Sequence, residues 1–418
     1  MSEVWPLTKV GDCCDILDNL RVPLNAEERE GMPGDIPYYG ANGLQGYIDN
    51  FIFDEPLILL AEDGGYFDEH ETRPIAYRIY GKSWVNNHAH VLRVKTGCPF
   101  CQDFIFYSLQ HKNITPYIKG GTRAKLNQSE LRDILIPSPP DTTQHRIAEI
   151  LSTLDEAIEQ TESLIAKMQQ VKAGMMHDLF TRGVTPNGRL RPTREQAPEL
   201  YKESPLGWIP QEWEVALISE AFDIQLGKML NKLAKTGKGS APYLGNRAVK
   251  WDFVDCTEIE VMDFTASERV KFSLNPGDLL VCEGGDVGRT AIWRGEMKEC
   301  FYQKAIHRLR PKSGAALPAF MLRFMRFAKE SGCFREFTSQ SSIAHLTQEK
   351  LGAIPMLLPR PDEQSRIAKR FDAVDEQIQN EISKLAKLRD QKHGLMHDLL
   401  TGRVQASSTA SDRSDRSD

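Results

Sequence analysis

The chain has no stretch that approaches the roughly 20 consecutive apolar residues that a membrane-spanning helix needs. Its first residues, Met1 to Pro6, lack a basic segment that leads into an apolar one, as a secretory signal would have. The eight cysteines are scattered, and Cys13 and Cys14 are adjacent, which is not typical of a small disulfide-rich fold. These absences predict a cytoplasmic protein that does not contact a membrane.

A bound metal ion is not expected either. Cys98 and Cys101 form a single Cys-x-x-Cys pair, whereas a structural zinc site needs four ligands. With 418 residues, 40% of them apolar and 26% charged, the chain has the composition of ordinary globular domains. A single hydrophobic core seldom grows beyond about 250 to 300 residues, so the length predicts two or more domains.

Positive charge is concentrated locally, although the chain has a net charge of -6. Six basic residues and no acid lie between Lys228 and Lys250, and eight basic residues accompany one acid between Phe301 and Arg335. The stretch from His111 to Arg132 is also basic. Some of these side chains could be simply solvated, but three such clusters favour a surface that follows phosphates.

The two halves of the chain repeat each other at an offset of 220 residues. Arg146-Ile147-Ala148 recurs as Arg366-Ile367-Ala368, and Met176-His177-Asp178-Leu179 recurs as Met396-His397-Asp398-Leu399. The interiors of the two halves diverge. A duplicated scaffold with different interiors indicates two modules that do one kind of work with two specificities.

Each half ends in a predicted long helix, from about Thr142 to Phe180 and from about Asp362 to Leu400, because both stretches lack proline. Apolar residues recur at spacings of three and four, with polar interruptions at the same places in both copies: Thr161 and Lys172 in the first, Glu381 and Lys392 in the second. This heptad seam favours a mutual antiparallel helix pair. Packing of each helix on its own domain is the alternative.

Short β-type runs separated by turns predict mixed α/β interiors, including Leu57 to Ala61, His90 to Val94 and Gly277 to Cys282. The predicted domains are residues 1–140 and 208–360, the helices are residues 141–184 and 361–404, the linker is residues 185–207, and a disordered tail covers residues 405–418.

The two-fold layout, the run Gly285-Asp286-Val287-Gly288-Arg289 and the Met-His-Asp-Leu helix endings resemble the specificity subunit of type I restriction-modification systems. The resemblance covers about residues 1 to 404. It implies an α+β fold with two target-recognition domains joined by two long helices that form an antiparallel coiled-coil spacer. It also implies that the chain reads the two halves of a bipartite asymmetric double-stranded DNA site and docks methyltransferase and restriction subunits. These partners would hold the S-adenosylmethionine, ATP and Mg²⁺ of the complex, and this chain would hold no cofactor.

Base edges are read by polar side chains on loops, and phosphates attract basic ones. The residues predicted to contact DNA are Asn42, Asn86, Asn87, His88, Lys119, Thr122, Arg123, Lys125, Lys228, Lys232, Lys235, Lys238, Asn246, Arg247, Lys250, Gln303, Lys304, Ser339, Gln340, Ser341 and Ser342. Asn86 and Asn87 could instead hold a turn, and Asn246 could cap a strand end.

No catalytic residue is predicted. Ser138-Pro139-Pro140 approaches the motif of amino-methyltransferases but continues with Asp141 where an aromatic residue is needed. A phosphate-binding loop of the Gly-x-x-x-x-Gly-Lys-Ser/Thr form is absent from the sequence. Two alternatives remain: a helical scaffold that binds only proteins, and a stand-alone nuclease using Asp278, Glu296 and Lys298.

Overall fold

The computed structural model describes residues 5–119, 124–230, 237, 239–332 and 345–406. Nine of the predicted DNA-contacting residues lie outside this described part: Thr122, Arg123, Lys232, Lys235, Lys238, Ser339, Gln340, Ser341 and Ser342. The chain divides into two compact units. Unit 1 comprises Met1–Ser163 with Ser383–Asp418, and unit 2 comprises Leu164–Ile382.

Unit 1 is a mixed α/β domain that also includes a part of each long helix. Its strands are β1 (Leu7–Lys9), β2 (Cys14–Ile16), β3 (Ile36–Gly40), β4 (Gly43–Ile48), β5 (Phe53–Asp54), β6 (Leu57–Ala61), β7 (Ala76–Ile79), β8 (Lys82–Val85), β9 (Ala89–Val94) and β10 (Leu135–Pro137). Its helices are α1 (Val10–Cys13), α2 (Ala26–Glu30), α3 (Gln102–Gln110) and α4 (Gln128–Asp133), followed by the first part of α5 (Asp141–Thr181). Short 3-10 turns cover Asp18–Leu20, Phe67–Glu69 and Thr115–Tyr117.

Unit 2 repeats this plan. Its strands are β11 (Tyr201–Ser204), β12 (Gly207–Pro210), β13 (Glu214–Leu217), β14 (Phe222–Leu226), β15 (Ser240–Leu244), β16 (Glu260–Asp263), β17 (Leu279–Cys282), β18 (Thr290–Ile292), β19 (Phe301–Tyr302), β20 (Ile306–Pro311) and β21 (Pro355–Leu358). Its helices are α6 (Ile218–Ala221), α7 (Ala266–Lys271), α8 (Pro318–Glu330), α9 (Gln348–Gly352) and the first part of α10 (Pro361–Leu400), with a 3-10 turn at Pro198–Leu200.

The two units have equivalent sheets, although the second sheet has four strands in unit 1 and three in unit 2. Unit 1 has an antiparallel sheet in the order β2-β9-β6-β7, and unit 2 has β14-β20-β17-β18. A second sheet joins β4, β3, β8 and β5 in unit 1, and its equivalent joins β16, β15 and β19. Each of these second sheets contains one parallel pair: β3 with β8, and β15 with β19. The predicted α+β class and the internal repeat are therefore confirmed.

Strand β6 is buried on both faces, as its unbroken apolar sequence predicts. Ile58 and Leu60 pack in one cluster with Phe104 of α3, whereas Leu57 and Leu59 belong to a second cluster. Successive side chains of a strand point to opposite faces, so β6 joins the helical layer to the second sheet. Strand β17 divides its side chains in the same way between two clusters of unit 2.

The two long helices run over 41 residues in α5 and 40 residues in α10, as predicted within one or two residues. A buried glutamine fixes the start of each. The side-chain amide of Gln144 donates to the Pro139 carbonyl (2.9 Å), and Gln364 donates in the same way to Pro359 (2.7 Å). Among the described residues, no helix is both long and apolar enough to span a membrane.

In each unit, a part of α5 packs antiparallel to a part of α10. In unit 1, Lys392 bonds to Asp155 (2.6 Å), and in unit 2, Lys172 bonds to Asp375. The predicted seam faces inward, since Leu151 and Leu179 of α5 are fully buried. The mutual helix pair is thus confirmed within each unit, with the seam lysines paired across it.

Candidate nucleic-acid interface

In unit 1, the loop that follows β6 collects the predicted residues. Asn42, in the turn between β3 and β4, donates its side-chain amide to the carbonyl of Gly64 (3.1 Å). The His88 ring lies 2.5 Å from the carboxylate of Asp63. The Lys125 amine lies 2.9 Å from Glu62. The structure therefore brings together three predicted residues that are distant in sequence.

The loop between β8 and β9 combines a structural residue with exposed ones. Asn86 is 5% exposed, accepts a hydrogen bond from the backbone of His88 (2.8 Å) and donates to Gln45 (3.3 Å). This geometry favours the alternative that Asn86 holds the turn. Asn87 is exposed, and the His88 side chain is partly exposed, so both remain available to a ligand.

Lys119 and Lys125 close a loop at its base. Their backbones exchange two hydrogen bonds, from Lys119 N to Lys125 O (3.0 Å) and from Lys125 N to Lys119 O (3.1 Å). The Lys119 amine is exposed and pairs with Glu130, and Lys125 is also partly exposed. Both amines reach the surface and could also contact a phosphate, although their carboxylate partners Glu130 and Glu62 are largely buried.

A buried ion network lies beneath this loop base, and the sequence analysis missed it. Arg21 bonds to Glu62 (2.6 Å), and His90 lies 2.6 Å from Asp18. Burial alone would raise the pKa of Glu62, but hydrogen bonds from Arg21 and Lys125 outweigh it and lower the pKa. Asp18, Glu62 and His90 lie close enough to share an ion. Because Arg21 already neutralises the carboxylates, we assign this cluster to structure and not to a metal.

Unit 2 builds its candidate site on the same hydrogen bond. Asn246, just after β15, donates its side-chain amide to the carbonyl of Gly284 (3.1 Å), as Asn42 does to Gly64 in unit 1. The backbone carbonyl of Asn246 also accepts from Arg289 (2.8 Å). The amide nitrogen of this asparagine is therefore structural in both units.

A cleft of 950 Å³ opens beside Asn246 and is lined by four of the predicted residues: Asn246, Arg247, Lys250 and Gln303. Asp255 and Glu258 line it as well. Arg247 is exposed, and Lys250 is partly exposed. The cleft therefore presents both cationic donors and carboxylate acceptors, the two kinds of groups that read guanine and cytosine edges.

Several other basic residues already form ion pairs with acidic side chains of the same chain. The amine of Lys228 lies 2.6 Å from Glu268 and donates to the carbonyl of Asp263 (2.7 Å), so its role is at least partly structural. Lys304 is exposed, and its backbone amide donates to Lys228 (2.7 Å). Within the cluster from Phe301 to Arg335, ion pairs engage Arg308, Arg310, Arg323, Arg326 and Lys329. Counting charges along the sequence therefore overstated the free positive charge of this segment.

A buried histidine occupies an equivalent position in each unit and binds the backbone at Leu126 or Leu346. The Nε2 of His90 donates to the carbonyl of Leu126 (2.8 Å), and the Nε2 of His307 donates to the carbonyl of Leu346 (2.8 Å). The common pattern His-x-Leu-Arg at His90 and His307 was visible in the sequence. The two histidines differ at Nδ1. The Nδ1 of His90 lies next to Asp18, whereas the Nδ1 of His307 has no hydrogen-bond partner among the described residues.

We expect the stability of unit 2 to fall in mild acid because of His307. Burial lowers the pKa of His307, so its contribution is complete above the unfolded value near 6.5 and is lost as the pH falls toward the folded value. The slope is at most about 1.4 kcal/mol per pH unit. Urea unfolding at pH 7.5 and 5.5 measures it. His307→Gln, which keeps a donor for Leu346, should reduce the slope; an unchanged slope would contradict this assignment.

The groups considered for catalysis have structural partners. Asp278 is 2% exposed and receives two 2.7 Å hydrogen bonds from Arg310. Glu296 accepts from the backbone of Arg294 (2.9 Å). The segment Ser138-Pro139-Pro140 leads into α5. The backbone carbonyl of Pro139 accepts a hydrogen bond from the side chain of Gln144, which lies in that helix.

The family pattern described as "Type I restriction modification DNA specificity domain" matches residues 2–170 and 210–389. A Haemophilus influenzae protein named as a type I restriction enzyme specificity subunit is 27% identical over 89% of this chain and 87% of its own length. The type I restriction enzyme MjaVIII specificity subunit of Methanocaldococcus jannaschii is 25% identical over 97% of this chain and 94% of its own length.

Among solved structures, the S subunit of a type I restriction-modification system from M. genitalium has a TM-score of 0.60 at 17% identity and covers 96% of this chain and 97% of its own. This likeness shows a common fold. The family pattern covers most of the chain and matches it twice, once in each half. The chain therefore belongs to the family of type I restriction-modification DNA specificity subunits.

Proposed function

We propose that this chain reads the two halves of a bipartite, asymmetric double-stranded DNA sequence, one half with each unit. The observation that carries the proposal is the shared asparagine-to-glycine hydrogen bond, from Asn42 in unit 1 and Asn246 in unit 2. Around this common scaffold, the accessible side chains differ: His88 and Lys125 in unit 1, Arg247 and Gln303 in unit 2. A constant scaffold with different polar side chains suits two sites that read different bases.

We further propose that methyltransferase subunits and restriction subunits bind this chain and carry out the reactions. The S-adenosylmethionine would belong to the methyltransferase subunits, and ATP and Mg²⁺ would be used with the restriction subunits. The lack of a phosphate-binding loop in the sequence supports this division of labour. The paired helices α5 and α10 would act as the spacer that sets the gap between half-sites.

A map of methylated bases tests the proposal. Cells that express this chain with its methyltransferase subunit should show methylation at one split sequence motif, and cells that express the methyltransferase subunit alone should lack it. The map would give both half-sites at once. Methylation that is unchanged without the chain would reject its role as the reader and favour a scaffold that binds only proteins.

A further inference from the structure

An ion cluster in each unit joins both long helices to the recognition domain. Cluster 1 consists of Lys392 of α10, Asp155 of α5 and Arg78 of β7, and lies in unit 1. One oxygen of Asp155 accepts from Lys392 (2.6 Å), and the other lies 3.4 Å from Arg78. The hydroxyl of Tyr107 in α3 donates to the same carboxylate (2.7 Å). Asp155 of α5 thus contacts the other long helix, α10, and two elements of the domain, β7 and α3.

Cluster 2 is the equivalent in unit 2 and consists of Lys172 of α5, Asp375 of α10 and Arg323 of α8. Lys172 bonds to one oxygen of Asp375, and Arg323 lies 2.9 Å from the other. Lys172 corresponds to Lys392 and Asp375 to Asp155 at the repeat offset. The arginines come from different elements, so the two domains reach the same arrangement by different routes.

Both clusters are largely shielded from water. Relative exposures are 13% for Lys392 and 18% for Asp155 in cluster 1, and 19% for Lys172 and 7% for Arg323 in cluster 2. Each lysine occupies a seam position where burying an apolar side chain would have a lower desolvation cost than burying the charged amine. A buried ion pair of this kind adds little net stability, but a polar residue in a helix seam can select one alignment.

We propose that clusters 1 and 2 hold each recognition domain at one position on the helix pair and thereby restrict the gap between half-sites that the protein accepts. A seam without the lysines would tolerate neighbouring alignments, because apolar side chains pack with little directional preference. The proposal rests on the proposed function, since it assumes that the helix pair acts as the spacer. It assigns Lys172 and Lys392 as positioning residues that do not touch DNA.

The test is the full chain carrying Lys172→Met and Lys392→Met, expressed with its methyltransferase subunit. Methionine fits a helix seam, and Asp155 and Asp375 keep their arginine partners, so both recognition domains remain intact. At sites with the normal gap, methylation by the variant should stay within about twofold of that by the unaltered chain. At sites whose gap is one base pair longer or shorter, methylation should rise at least about tenfold, which corresponds to about 1.4 kcal/mol.

Glu162→Ala with Arg389→Ala is the matched control. This pair also joins α5 to α10 in unit 1 (2.6 Å), but the side chains are 45% and 59% exposed and should not influence the gap. If the methionine variant loses its fold, as judged by its unfolding temperature, Asp155→Asn with Asp375→Asn provides a second variant of nearly identical shape. Methylation confined to the normal gap in a folded variant would overturn the proposal. Absence of a split motif with the unaltered chain would instead reject the proposed function.

Discussion

Reversing the charges of Arg247 and Lys250 to glutamate is expected to weaken binding of the complex to its DNA site about 100-fold. Both residues line the cleft beside Asn246. Neither forms a direct ion pair in the described part of the chain, although Lys250 attracts Asp255 at longer range. They are therefore able to neutralise phosphates without first breaking an internal ion pair. Each lost phosphate contact should also lower the slope of log affinity against log salt by about one.

The matched control is Lys271→Glu with Lys298→Glu, which changes the net charge equally. Both lysines are exposed in unit 2 and do not line the cleft. Anisotropy titrations of a labelled duplex at several salt concentrations, with the methyltransferase subunit present, measure both effects. Equal weakening by both double variants would mean that overall charge, and not the cleft, governs binding.

Replacing Glu363 with alanine is expected to destabilise unit 2 by about 3 to 5 kcal/mol. Glu363 is 4% exposed and accepts hydrogen bonds from Arg191 (2.5 Å), the Trp213 indole (3.1 Å) and the backbone of Val184 (2.8 Å). Burial alone would lower the pKa of Arg191, but the hydrogen bonds that Arg191 donates to Glu363 and Glu212 raise it. The variant therefore leaves a buried cation without its main partner.

Asp362→Ala is the control, since this neighbouring carboxylate is exposed and forms an ion pair with Arg366 one turn away in α10. Its loss should leave the free energy of unfolding nearly unchanged, because exposed ion pairs contribute little. Urea unfolding followed by tryptophan fluorescence should report the Glu363 variant because Trp213 is fully buried beside it. A loss below about 1 kcal/mol would mean that the second partner of Arg191, Glu212, compensates for the missing carboxylate.

The ion pair between Arg191 and Glu363 shows that the segment between the halves packs against unit 2. The sequence predicts a linker over residues 185–207, on the basis of its proline, glycine and charge. The structure places the hairpin β11–β12 there and buries Arg191 against Glu363. Ile209 belongs to the hydrophobic core of unit 2. Turn-forming residues mark where the chain bends, but they do not reveal that a segment packs against a domain.

Family membership and the absence of a catalytic role were both accessible from the sequence, and this chain is a non-catalytic specificity subunit of a type I restriction-modification system. Of the predicted site residues, Asn246, Arg247, Lys250 and Gln303 lie around one cleft. Asn86 and Lys228 have internal partners. Polarity and loop position make a residue a candidate for contacting DNA. They do not show whether its side chain is free or already hydrogen-bonded within the chain.

The sequence by itself determined the duplication, the long helices with their seam and the buried strands β6 and β17, because periodicity and propensity act over neighbouring residues. Tertiary structure alone decided which charges are free. The partners of Asp155, Glu363 and Asp278 lie far away in the chain. The free energy of a buried charge depends on the groups that folding brings within hydrogen-bond distance, and no local pattern encodes them.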